Sequence, residues 1–138
     1  MNSGTFKYIE RMLYDYNDIE EHIKRRIEQL KYPYVPTDTN IGGGKTNRTS
    51  DQTGQLAVTL ADDLLLSNLR KTKDIIDIVL DGLDPKARLV IELYYIDTPR
   101  KYTWDGIAIE TNYAKSHCYR IRDKVFEQIA EKLGMPIE

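Results

Sequence analysis

Apolar residues recur along this chain at the three-then-four spacing of a helix, and alternation of period two is almost absent. Phe6, Ile9, Leu13, Tyr16, Ile23, Ile27 and Leu30 keep that spacing, interrupted only at Glu20. The pattern predicts an amphipathic helix over residues 5–31 with one apolar stripe to cover. A second long helix is expected over 54–82, where Val58, Leu65, Leu69, Thr72, Ile76, Val79 and Leu83 repeat the spacing and Leu64, Ile75 and Leu80 widen the face. Between the two lies a Pro/Gly/Thr/Asn-rich stretch, Pro33 to Thr53. A connection of roughly 20 residues is long for a compact domain and reads as an exposed tether or a functional loop.

From Asp84 onward the punctuation becomes more definite. "LDPKARLVIELYYID" opens with an aspartate cap and a proline at the first helical position, and places Leu89, Val90, Leu93 and Tyr94 on one face. "TPRKYT" breaks the pattern at Pro99, and Thr103 caps a short helix running to about Glu110. A turn follows at Asn112, a residue that tolerates the left-handed conformation. A long helix is then expected from about Ala114 to Leu133, stopped by Gly134 and Pro136. Short helix, tight turn and long helix is the pattern of a helix-turn-helix, whose second helix can lie in a DNA major groove. The expected fold is therefore all-α: long N-terminal helices joined by an extended Pro/Gly-rich loop, then a C-terminal three-helix domain. The division predicted is 1–83, an N-terminal helical region with loop 33–53 suited to dimerisation, and 84–138, the DNA-binding domain.

Within the second helix, Cys118, Ile121, Val125 and Ile129 follow at steps of 3, 4 and 4 and are expected to face the core. Cys118 is then a small core residue rather than a reactive thiol. The opposite face carries Lys115, Ser116, His117, Tyr119 and Arg120, the candidates for contacts to base edges. Arg100, Lys101, Arg122 and Lys124 are the candidates for phosphate contacts.

Charge supports this only through its distribution. From Asp84 to Glu138, nine basic residues are balanced by nine acidic ones, but between Arg100 and Lys124 six basic residues meet only Asp105, Glu110 and Asp123.

Other chemistry is thin. "GGGKT" at 42–46 resembles the end of a phosphate-binding loop, but that motif needs a further glycine where Thr39 stands. Two prolines upstream would break the strand such a loop must leave, and no apolar periodicity downstream starts a helix. The stretch reads as a flexible or Ω-type loop. A single cysteine excludes an internal disulfide, and with only His22 and His117 no Cys/His cluster has metal-ligand spacing. The pairs Glu20/Glu21 and Asp62/Asp63 are adjacent, diverge around a helix and read as solvated charge rather than paired acid and base. Tyr8, Tyr14 and Tyr16, with acidic neighbours, suit amphipathic packing better than base stacking. With 30% charged residues, 41% hydrophobic residues and a net charge of −2, the composition is that of a soluble globular chain. Without an apolar span or a signal-peptide layout, the expected place is the cytoplasm, with no membrane partner. On that view Asn47-Arg48-Thr49 is not a glycosylation acceptor.

Residues 83–133 are similar to the helix-turn-helix of sigma-factor region 4, and "YPYVPTDTNIGGG", the leucine-rich helix after it and "YYID" before the motif resemble the RinA family of phage transcriptional activators. The resemblance spans nearly the whole chain; Ala114, standing where such helices commonly carry a serine cap, departs from it. It implies a sequence-specific DNA-binding activator of late packaging and morphogenesis genes. It also implies double-stranded DNA and bacterial RNA polymerase as partners, no cofactor and no enzymatic activity. The long N-terminal helices would then pair two copies across half-sites, or pack as an intramolecular hairpin. Two other classes share the pattern: a terminase small subunit, distinguished by a ring-sized oligomer, and a protein-interaction module, distinguished by binding indifferent to salt.

Overall fold

The computed structural model describes residues 1–32 and 52–138. "GGGKT", Asn47-Arg48-Thr49 and all but the end of the 33–53 loop fall outside them. Among the described residues the chain is all-α, with seven α-helices, one π-helical turn and no strand: α1 Ser3–Tyr14, α2 Tyr16–Lys31, α3 Gln52–Asp62, α4 Leu64–Asp81, α5 Pro85–Ile91, the π-helical turn Glu92–Ile96, α6 Trp104–Thr111 and α7 Lys115–Leu133.

Both long N-terminal helices are divided. The expected 5–31 helix breaks at Asp15, whose backbone N–H donates to Arg11 and Leu13. The expected 54–82 helix breaks at Asp63, which acts as a cap: its Oδ2 accepts from the Leu66 N–H at 2.8 Å. After the break Ile75, Ile76, Val79 and Leu80 are buried as the spacing predicts, but Val58 and Leu65, members of the expected stripe, are 60% and 51% exposed, and Leu66, outside it, is buried.

Two compact units result. One comprises Met1–Ile19 with Lys71–Glu138, the other Glu20–Arg70. The first unit groups α1 and the end of α4 with the C-terminal helices.

In the first unit, Ile9 and Leu13 of α1, Ile76 of α4, Val90 and Ile91 of α5, Ile107 of α6 and Val125, Phe126 and Ile129 of α7 are fully buried. Phe6 and Phe126 pack with ring centroids 4.9 Å apart and planes tilted by 53°. Thr5 Oγ1 donates to the Pro136 carbonyl at 2.8 Å, and Ile137 O accepts from the Asn2 N–H at 2.9 Å. Asp84 caps α5, accepting from Lys86 and Ala87 N–H with Pro85 in the first turn, as the local sequence predicts. Leu89 falls outside the face expected for it, at the edge of exposure, while Ile91 and Tyr95 are buried. After Ile91 the chain takes the π-helical turn, closed by Asp97 N–H on Glu92 O at 2.7 Å. Its extra residue turns Tyr95 into the core and leaves Tyr94 half-buried beside it, the two rings edge to face at 4.8 Å.

In the second unit, Arg26 grips Asp63 through Nε at 2.9 Å and Nη2 at 2.6 Å. Asp63 is therefore paired and only 11% exposed at its side chain, contrary to the solvated role expected for it. The two-pronged geometry and the cap together explain a carboxylate in a helix junction.

Candidate nucleic-acid interface

The α6–α7 pair is built by short-range chemistry. Thr103 Oγ1 accepts from Gly106 N–H at 3.2 Å and starts α6. At Gly106 a Cβ would come within 3.3 Å of the Tyr102 ring, so the glycine permits that close approach. Thr111 is buried and returns its hydroxyl to Ile107 O at 2.7 Å. Asn112 then takes the left-handed conformation, φ 59°, and its N–H donates to Ile109 O. Ala114 is the cap residue of α7, and no side chain caps that end. Gly134 closes the helix at φ 72°.

Val90, Leu93, Ile107 and Cys118 form the core under the turn, ringed by half-buried Tyr94, Tyr102, Trp104, Ala108, Tyr113 and Ile121. Cys118 is fully buried, as its spacing predicts. Ile121 sits at the margin of this core. Phe126 and Ala130, fully buried beside Val125 and Ile129, complete the inward face of α7.

The predicted base-contacting residues do not share one environment. Ser116 and Arg120 are exposed one turn apart. Lys115 is exposed and pairs with Asp105 at 3.1 Å, a bond that raises its pKa. His117 is half-buried, edge to face with Tyr113 at 4.5 Å, and Lys86 lies 4.3 Å over the other ring of that pair. Tyr119 is half-buried against Trp104, centroids 5.4 Å apart.

Among the predicted phosphate-contacting residues, Lys124 is exposed on α7, and Lys101 is exposed at the rim of an open pocket shared with Leu93, Asp97 and Tyr102. Arg100 is exposed but lies 4.6 Å over Tyr94 and donates to Tyr14 Oη at 3.1 Å. Burial, with the neighbouring Tyr94 hydroxyl, pushes the Tyr14 pKa up to about 12. Arg122 stands apart. Its guanidinium lies 4.8 Å from the Tyr119 ring, 5.0 Å from Phe6 and 5.6 Å from Trp104. Tyr94 stacks on Trp104 at 4.2 Å and 19°, so Arg100, Tyr94, Trp104 and Arg122 form a continuous cation–aromatic stack.

Sequence reasoning passed over Trp104, Phe6, Tyr94 and Tyr95 as site residues. The usable signal was local: a lone tryptophan one residue after the helix cap, and two adjacent tyrosines before the break.

Among the described residues no group of His, Cys, Asp and Glu could hold a metal ion, and no helix is long and apolar enough to cross a membrane.

The fold and this surface define a small all-α chain whose last helix is presented by a left-handed turn, with polar and basic residues on its exposed first turns. The chain belongs to the family described as "Protein of unknown function (DUF722)", whose model matches residues 6–131. It is similar to the transcriptional activator rinA of Staphylococcus phage phi11, with 23% identity over 131 residues that cover 95% of this chain and 91% of that protein. No solved structure matches it.

Proposed function

We propose that this chain is a phage-encoded, sequence-specific DNA-binding activator of late transcription, acting in the cytoplasm of the bacterial host. The observation that carries the reading is the exposed Ser116–Arg120 edge of α7, flanked by Lys115 and Lys124 and backed by a closed core. Similarity to a phage transcriptional activator over nearly the whole chain supports the same reading. Ser116 and Arg120 are the leading base contacts, with Lys115, His117 and Tyr119 beside them. Arg100, Lys101 and Lys124 neutralise backbone phosphates and set register. RNA polymerase is the partner that activation requires.

One such helix reads only a few base pairs, so two copies on adjacent half-sites give the affinity a promoter needs. The exposed apolar side chains of Val58, Leu64 and Leu65 in the N-terminal helices suit that pairing.

The test is selection of duplexes from a random pool with the full-length chain, followed by titration of the enriched and unenriched DNA at several salt concentrations. Enrichment of one sequence with a steep salt slope is expected. A chain that enriches nothing, or binds without salt dependence, is not this activator.

A further inference from the structure

We propose that Arg122 is a positioning residue of the recognition helix and not a phosphate contact. Its guanidinium clamps the rings of Phe6, Trp104 and Tyr119, and so fixes Tyr119 and, through it, Lys115 at the start of α7. The inference rests on the DNA-binding reading of α7 and assigns a different task to one residue within it.

Three observations carry it. The first is direction. Arg120 and Arg122 are two positions apart, which places them about 200° apart around a helix. A groove that receives Arg120 therefore lies away from the stem of Arg122.

The second is occupancy. The Arg122 side chain is 19% exposed, its Nε donates to Asp123 Oδ1 at 2.9 Å, and Nη2 stands 2.9 Å from the same oxygen in an ion pair. Its guanidinium carbon lies within 5.6 Å of the centroids of three rings drawn from three helices: Phe6 of α1, Trp104 of α6 and Tyr119 of α7. Swinging out to a phosphate would leave all three rings and forfeit contacts that are strongest where water is excluded.

The third is what the clamped rings touch. Tyr119 meets Trp104 edge to face, and its ring centroid lies 5.9 Å from the Lys115 ammonium, which also pairs with Asp105 at 3.1 Å. Arg122 thus stands at one end of a chain of contacts that ends in the first turn of α7. That turn has no side-chain cap. Side-chain contacts from the α6 side are therefore well placed to fix its base-reading residues.

The test uses the full-length chain, with Arg122→Met, Arg122→Lys and Arg120→Met. Each is titrated against the duplex enriched from a random pool and against an unenriched duplex of equal length, over a series of salt concentrations. Arg122→Met is expected to weaken binding to the enriched duplex about tenfold, to change the unenriched duplex by less than about twofold, and to leave the salt slope at the wild-type value. A slope reduced by about one, with equal losses on both duplexes, would make Arg122 a phosphate contact and overturn the proposal. Unchanged binding to both would overturn it too.

If Arg122→Met does not fold, Arg122→Lys decides. Lysine serves a phosphate as a point charge but lacks the planar guanidinium that lies among three rings. Positioning predicts a loss confined to the enriched duplex, and a phosphate contact predicts wild-type behaviour. Arg120→Met supplies the pattern of a direct base contact for comparison. Wild-type chain that binds no duplex removes the DNA-binding reading itself, and the task assigned to Arg122 with it.

Discussion

The Tyr95 hydroxyl donates to Glu10 Oε2 at 2.8 Å, joining the π-helical turn to α1 in a site where Tyr95 is only 2% exposed. Burial first, then the bond to Glu10, pushes the phenol pKa far above its ordinary value, so it remains a donor throughout the working pH range. Tyr95→Phe leaves the ring in place and removes only the donor. It is expected to cost about 1–3 kcal/mol in denaturant unfolding, the range for stranding a partly buried partner. An unchanged midpoint would mean that water replaces the bond without loss.

Phe126 and Ile121 should separate in the same measurement. Phe126→Ala opens a cavity between α1 and α7 and is expected to cost about 3–5 kcal/mol. Ile121→Ala removes a half-buried side chain and should cost well under half of that. Equal losses would place Ile121 in the centre of the core, as spacing alone suggested.

The Arg26–Asp63 pair makes stability depend on acid. Hydrogen bonds from Arg26, then the Leu66 N–H, hold the Asp63 carboxyl at about 2, below its ordinary 3.8. A depressed carboxyl contributes fully above the unfolded pKa and loses that contribution as pH falls through the folded one. Asp63→Asn retains a capping side chain but loses the ion pair. The wild-type advantage in thermal melting should be whole at neutral pH, shrink below about pH 4 and vanish near about pH 2. An advantage that persists at the acid end would assign the effect to something other than this carboxylate.

Ala114→Ser supplies the oxygen that the start of α7 lacks. It is expected to raise stability by about 0.5–2 kcal/mol, read as a higher melting temperature. A lowered melting temperature would show that the bare N-terminus is required by the packing around it.

Arg120→Ala and Lys101→Ala should fail differently on DNA. Arg120→Ala should cost about 1–3 kcal/mol at the enriched sequence and relax preference there, whereas Lys101→Ala should weaken all duplexes about equally and lower the salt slope by about one. Titrations of both variants that match wild type would leave α7 as packing or a protein surface.

What was legible in the sequence was local chemistry. The Asp84 cap, the Thr103 cap, left-handed Asn112 and the Gly134 stop depend on a few neighbouring residues, and all stand where sequence placed them. The break at Asp63 was hidden because the apolar spacing runs across it and its partner, Arg26, is 37 positions away. The setting of Arg122 was hidden for the same reason: Phe6, more than a hundred residues distant, supplies one of its rings. A helical wheel assigns Arg122 a side of α7 but cannot say what another helix puts there.

The π-helical turn also fixes how the chain tolerates changes in length. An α-helix turns about 100° per residue, so removing one residue from Glu92–Ile96 to restore regular winding would rotate the rest of that turn by that angle. Tyr94 would leave Trp104, and Tyr95 would leave Glu10. The segment behaves as a one-residue insertion kept in frame by one ring stack and one hydrogen bond. Related chains lacking that residue would need different side chains at both positions to keep α6 and α7 where they are.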